Sequence, residues 1–401
     1  MKILIFVTRQ LCYNSGRYFA EKIIEALQNY GCQCEFCEIP EYSIPSAGTE
    51  IAQPASINSD KIIERSAEDL LQRYVNKKFD AIIDFNSKLP RLIMDDDSYY
   101  LDNIDAPFYN FILDHPLYHH TTLSCRLNNY YVFSVDGNHC EYIKKYYPWI
   151  KDAYQINLGA EHVCTSDTNK KEKNILFMGT FRKPDVYMKH ILRCGIREKN
   201  DMLSMIDRIM NNEELSIEDS INIEPKAELL NKYYLVEMYI RNYYRKKLID
   251  TLADNGFPLK IAGEWWEKYD KSCKKNVKII KPVSFEKSFE IIAQSRVLAD
   301  SSPFFKMGVH DRIYAGMANN TVVMTDSNKY RMNILDNVAE MYRINDVDDI
   351  CAKADKLLND TAYYENMVYR AHEEYKKNYT WNNVGAVSYT HLRAHETLRH
   401  L

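Results

Sequence analysis

No apolar run in these 401 residues approaches the roughly 18 needed to cross a bilayer. The opening MKILIFVTRQ has one lysine and five consecutive apolar residues, Ile3 to Val7, too few for the apolar region of a signal peptide. A cytoplasmic location is expected. There is no basic excess either. The net charge is −4, so nothing neutralises phosphates along a whole face and nucleic acid is not the expected partner. No Asp-x-Asp near a strand end suits a metal-bound diphosphate; the acidic run Asp95–Asp97 lies in a polar stretch between elements. No repeat of solenoid period is present. Cysteine is not scarce, but the 10 residues are scattered and read as reduced, buried thiols. The cluster CQCEFC reads as a strand, which sends Cys32 and Cys34 to one face and Cys37 to the other, away from a shared metal. His391 and His395 stand four apart, with no glutamate base between them and no third ligand in sight. No metal is expected.

What is present is alternation. KILIFV, CQCEFCEI, DAIIDFN, APFYNFILD, YYVFSVD and YQINLG read as strands, with helical stretches such as YFAEKIIEALQNYG and SAEDLLQRYVNKKF between them. Strands alternating with helices predict a parallel sheet with right-handed crossovers. The charged run TSDTNKKEK then breaks the pattern, and KNILFMGTF restarts it. The expected organisation is an N-terminal Rossmann-like domain over 1–165 and a second over 166–375, with a helical insertion at 184–250. A C-terminal end follows over 376–401. Within it, 387–401 changes character, resembles translated sequencing-adapter read-through, and is left out of the fold reading. Two such halves face a cleft, with ligands expected at the carboxyl ends of the strands.

The second half, through ILFMGTFRK, LKIAGEWW and VKIIKPVSFEKSFEIIAQSRVLADSSPFFKMGVHDRIYAGMANNTVVMTD, resembles the donor-sugar domain of GT-B glycosyltransferases. It is most similar to the group-1 transferases and the CgeB/YkvP-like branch. The likeness runs well over about 172–360 and covers the first half by architecture only. It implies an α/β, GT-B fold and transfer of a sugar from a nucleoside diphosphate sugar to a glycan, glycolipid or glycoprotein acceptor in surface-glycan synthesis. Retention of configuration is implied, with no cofactor beyond the co-substrate. The family's Arg and Lys after the first strand of this half map to Arg182 and Lys183, behind loop glycine Gly179, as clamps on the diphosphate. Glu286 falls at the glutamate of the family's helix start. Two departures stand out. Ala315 occupies the place of a ribose-holding glutamate, and Asn320 that of a glycine, so Asp311, one helical turn earlier, is the expected substitute.

The residues themselves agree with this chemistry. A leaving diphosphate must be stabilised as the glycosidic bond breaks, and helix starts and cations can do that without metal. Gly308 permits close backbone approach, and His310, Asp311 and Arg312 open a helix behind it. Arg312 has an alternative reading as a structural partner of Asp311 or Asp326. On the acceptor side, Asp114 and His115 end an apolar strand, where His115 can take a proton, touch the sugar or merely cap backbone. Asn14, Ser15 and Gly16 follow the first strand and can line the acceptor. The insertion, with YYRKKL, offers a face for peripheral membrane contact, although its mixed charges read as packing. Two rivals remain at this stage: a nucleotide-sugar 2-epimerase of the same fold, and a glycan-binding protein that has lost its donor site.

Overall fold

The computed structural model describes residues 1–8, 11–39, 67–163, 171–221, 224 and 226–399. Most of the TSDTNKKEK run lies outside them. The chain forms two compact units. One is Met1–Ser134 with Cys140–Tyr154 and the segment from Ser388 on; the other is Val135–His139 with Gln155–Val387. The sequence reading put the division at 165/166, where the structure changes unit near Ser134 and Tyr154.

In the first unit six strands, β1 (Lys2–Val7), β2 (Gln33–Glu38), β3 (Ala81–Phe85), β4 (Phe108–Ile112), β5 (Tyr130–Ser134) and β6 (Asp152–Gln155), form one sheet in the order β2-β1-β3-β4-β5-β6. β1 to β5 pair in parallel. Every residue of β3 and β4 is buried. That is why AIIDF and FYNFI read as continuous rather than alternating apolar runs. The order reverses between β1 and β3, so the switch point lies beyond Val7 and Phe85.

The second unit has β7 (Glu172–Met178), β8 (Leu259–Ala262), β9 (Val277–Ile280), β10 (Ser295–Ala299), β11 (Val322–Asp326) and β12 (Glu340–Tyr342), ordered β12-β11-β10-β7-β8-β9 and parallel throughout. Counted from its own first strand this is the doubly wound 3-2-1-4-5-6 order, whose switch point falls between β7 and β10. The helices Pro184–Leu192, Ile196–Asn211, Ala227–Lys232 and Tyr234–Asp254 intervene between β7 and β8, at the expected insertion.

Two expectations are adjusted. The helix read over SAEDLLQRYVNKKF is only Ala67–Leu71. It stops because Tyr74 turns its ring edge-on to Phe6, 5.5 Å away, and Asn76 adopts φ 63°. The segment set aside as foreign to the fold is helical within Trp381–Arg399. Leu392 is buried, Tyr389 stacks on Tyr30 at 5.4 Å, and His391 lies 4.4 Å from Tyr154. Among the described residues no helix is long and apolar enough to cross a membrane.

Candidate active site

Gly179 follows β7 and Gly263 follows β8, with φ of +153° and +147°. Both lie where only glycine is comfortable. They also touch: a Cβ on Gly263 would stand 2.0 Å from the Gly179 carbonyl oxygen. Trp266 Nε1 donates to that same oxygen at 2.6 Å, and the Phe181 amide donates to the Glu264 carbonyl at 2.9 Å. The two loops are thereby locked side by side. Their outer surface presents Arg182, whose guanidinium lies 3.6 Å from the centroid of the Trp265 ring. Stacking satisfies the flat face of Arg182 and leaves its N–H edge available. Lys183, the other residue carried over from the family pattern, pairs with Asp270 at 3.0 Å on the exposed surface. That position resembles a solvated turn more than a clamp.

The side chain that sequence reading missed is Arg245, on the helix Tyr234–Asp254. Its Nη1 lies 3.9 Å from where a Gly179 Cβ would be, and its buried Nε has no hydrogen-bond partner. No carboxylate pairs with it among the described residues. Burial first, then the neighbouring charges of Arg241 and Arg312, push its pKa down to about 10, against the opposing pull of Asp300 and Glu237. A guanidinium held this way, at the carboxyl end of β7 and beside the switch point, is short of an anion.

The helix start at GVHDR holds its own polar groups. His310 is the N-cap of Asp311–Ala318, its Nδ1 3.3 Å from the Arg312 amide and 2.5 Å from Asp311 Oδ1. Burial would raise the pKa of Asp311, but His310 and Arg312 outweigh it and hold the group below the usual carboxylate range. Asp311 is thus engaged with His310. Arg312 pairs with neither Asp311 nor Asp326 but with the fully buried Asp300, at 2.6 Å. Asp300 also accepts from Ser302 Oγ at 2.6 Å and Thr325 Oγ1 at 3.2 Å. Burial raises its pKa; Arg312, His310, Ser302 and Arg331 together bring it down to about 2. Below this pair the fully buried Arg331 pins the loop, bonding Asp326 at 2.8 Å and the Ser302 carbonyl at 2.5 Å. Asp300 and Arg331 were both missed. A carboxylate directly after the apolar VLA was the one signal for Asp300.

Gly308 is tight for a different reason from the one expected. A Cβ there would stand 2.3 Å from the Val135 carbonyl oxygen and 2.8 Å from Asp136 Cα. The glycine serves contact between two backbone segments of this unit. Gly308→Val is therefore expected to cost about 1–3 kcal/mol of stability through overpacking, and so to lower the melting temperature. Scanning calorimetry checks this; an unchanged melting temperature would show that the 308 backbone has room. Asn320 takes φ 55°, which accounts for asparagine where the family has glycine. Ala315 is buried. Glu286 is exposed in the first turn of Phe285–Gln294, behind the Ser284 cap.

In the first unit, β1 and β3 end in a buried polar network. Asp84 accepts from Thr8 Oγ1 at 2.5 Å and the Phe85 amide at 2.8 Å, and burial above all raises its pKa to about 7. Asn86 donates to Asp114 Oδ2 at 3.0 Å and accepts from the Leu113 amide at 2.9 Å. His115 is buried and caps the helix behind it, its Nδ1 accepting from the Leu117 amide at 3.2 Å, with Tyr142 edge-on at 5.3 Å. We assign the proton of the neutral ring to Nε2 on that basis. Asn14 is exposed with φ 63°, whereas Ser15 and Gly16 are buried at the start of Ser15–Gln28. Of these three only Asn14 presents a side chain to solvent. One Asp-x-Asp, Asp346–Val347–Asp348, does follow β12, but Asp346 caps the helix Val347–Asn359 and pairs with Arg343 at 2.7 Å. Among the described residues no three His, Cys, Asp or Glu side chains converge as metal ligands. The side chain of His395 lies outside them.

The class of the fold follows from comparison with solved structures. An alpha-glucosyltransferase in complex with UDP and a 13-mer DNA aligns with TM-score 0.58 and 13% identity, over 98% of this chain and 100% of that one. Sucrose-phosphate synthase from Thermosynechococcus elongatus aligns with TM-score 0.54 and 9% identity, over 98% and 99%. TarM aligns with TM-score 0.50 and 10% identity over 80% of this chain, which spans only 56% of the TarM chain. Two parallel six-stranded sheets flanked by helices are the GT-B arrangement. Residues 241–386 match the family model described as glycosyl transferase-like. No curated protein matches. Fold and family model together support a glycosyltransferase of the GT-B type.

Proposed function

We propose that the second unit binds a nucleoside diphosphate sugar at the carboxyl ends of β7 and β10. The first unit binds the acceptor, a glycan, glycolipid or glycoprotein of surface-glycan synthesis. The observation that carries this reading is Arg245, a cation beside the Gly179 loop with no ion-pair partner among the described residues. With the N–H edge of Arg182 it gives the diphosphate two guanidinium partners. Such groups stabilise the negative charge that grows on the leaving group as the sugar–oxygen bond breaks. Two fixed cations can do this without a divalent ion, and we read the transfer as metal-independent. Retention of configuration, and kinship with the CgeB/YkvP-like branch, rest on the group-1 sequence pattern. We read Asp114 and His115, which follow β4 at its carboxyl end, as the acceptor-side residues of the reaction.

Thermal-shift measurements with UDP, GDP and dTDP test the donor half. One of them is expected to raise the melting temperature, equally with and without EDTA, since a ligand at about a hundred times its Kd adds about 2.7 kcal/mol. No shift with any nucleotide would sink the reading, and a shift that vanishes with EDTA and returns with manganese would overturn metal independence. The net charge of −4 favours a non-nucleic acceptor. Sugar transfer to duplex DNA, the ligand of one structural neighbour, is the outcome that would refute that choice.

A further inference from the structure

The helices Pro184–Leu192 and Ile196–Asn211 meet at the turn Arg193–Cys194–Gly195. Two large apolar side chains stand in water at it: Ile196 is 77% exposed and Leu192 54%; Val186, 49% exposed, lies near the far end of the first helix. No other large apolar residue among those described is as exposed as Ile196. Beside them lie Lys189, Arg193 and Arg197, all exposed, and the half-buried Lys199. None of these four has an ion-pair partner among the described residues. The acidic groups nearby in the chain are Asp185, Glu198 and Asp201; Glu198 faces Lys232 at 3.5 Å, and Asp201 lies one turn beyond Arg197, towards Tyr233 and away from the tip. The turn is therefore an apolar tip in a collar of unpaired cations.

We propose that this tip docks on an anionic lipid surface. Apolar side chains at an exposed turn lose nothing by entering the boundary between headgroups and acyl chains, and the cations around them then meet anionic headgroups. A protein partner fits less well. A stable interface needs about 800 Å² on each side, far more than two apolar side chains at one turn offer. The contact is peripheral, since it uses a turn and not a spanning helix. In the chain the tip comes directly after the Gly179–Lys183 loop, so docking would hold the unit with the candidate donor site at a membrane. The proposal rests on exposure and charge alone and stands apart from the catalytic reading.

Co-sedimentation with vesicles tests it, using phosphatidylcholine alone and phosphatidylcholine mixed with phosphatidylglycerol. The parent is expected to bind the mixed vesicles, to bind the neutral ones hardly at all, and to release as salt is raised. Arg193→Glu with Arg197→Glu should weaken binding to the mixed vesicles by more than about tenfold, because each basic residue near such a surface is worth about fivefold. Leu192→Ser with Ile196→Ser should weaken it as well while leaving the cations in place. All four side chains are exposed, so melting temperatures should hold and a loss of binding cannot be a loss of fold. Failure of the parent to bind the mixed vesicles at low salt overturns the proposal. So does equal binding by either double variant, or a parent that self-associates through Leu192 and Ile196 while ignoring vesicles.

Discussion

Asp300→Ala will lower the stability of the protein by about 3–5 kcal/mol, the usual effect of removing one partner from a buried ion pair. The size follows from what stays behind. Arg312 would keep its charge 2.6 Å from nothing, and Ser302 and Thr325 would lose their shared acceptor. Replacing both members, Asp300→Leu with Arg312→Leu, should recover much of the loss, because no uncompensated charge then remains. The pH dependence has a definite sign. Asp300 has a folded pKa of about 2, below the value near 3.8 of a free aspartate. Its contribution is therefore fully present above about pH 4 and is lost as pH falls towards 2. Its size is on the order of 2 kcal/mol. Urea unfolding of parent and Asp300→Ala across this range should give a gap that narrows by about that amount in acid. A constant gap down to pH 2 would mean that the carboxylate is not what Arg312 needs.

Arg245→Met will show opposite effects on stability and on binding. The substitution keeps most of the volume and removes a half-buried charge that has no ion-pair partner among the described residues. Stability without ligand should hold or rise. Nucleoside diphosphate affinity should fall by about 1.5–3 kcal/mol, roughly ten- to a hundredfold, the worth of a hydrogen bond to a charged group. Arg182→Ala should weaken the same binding as well. Calorimetric titration of parent and variants with UDP and GDP reads both numbers, and melting temperature reads the rest. If Arg245→Met melts early and binds nucleotide as the parent does, the residue is structural and the diphosphate sits elsewhere. The combination of unchanged stability with lost affinity is what a merely structural arginine does not produce.

The sequence by itself determined the strands, their order in the chain, and the residues at their carboxyl ends. β1, β3, β4, β7, β10 and β11 are apolar runs of strand length, and a parallel sheet covered on both faces leaves no other reading of AIIDF or VVMTD. The loop glycine Gly179 and the helix beginning behind His310 were legible for the same reason: each depends on neighbours a few residues away. Only the tertiary structure decided who faces whom. Arg245 belongs to a helix whose sequence reads as ordinary packing, and nothing local marks it as a neighbour of Gly179. Arg312 had carboxylates at hand in Asp311 and Asp326, yet pairs with Asp300, because β10 and the helix start converge at the same end of the sheet. Gly308 read as room for a phosphate, and its close approach to the Val135 carbonyl was not legible at all. Local pattern follows from the period of a helix or strand. A charge's partner and a glycine's neighbour are set by chain crossings far apart in sequence, and those appear only once the sheet is assembled.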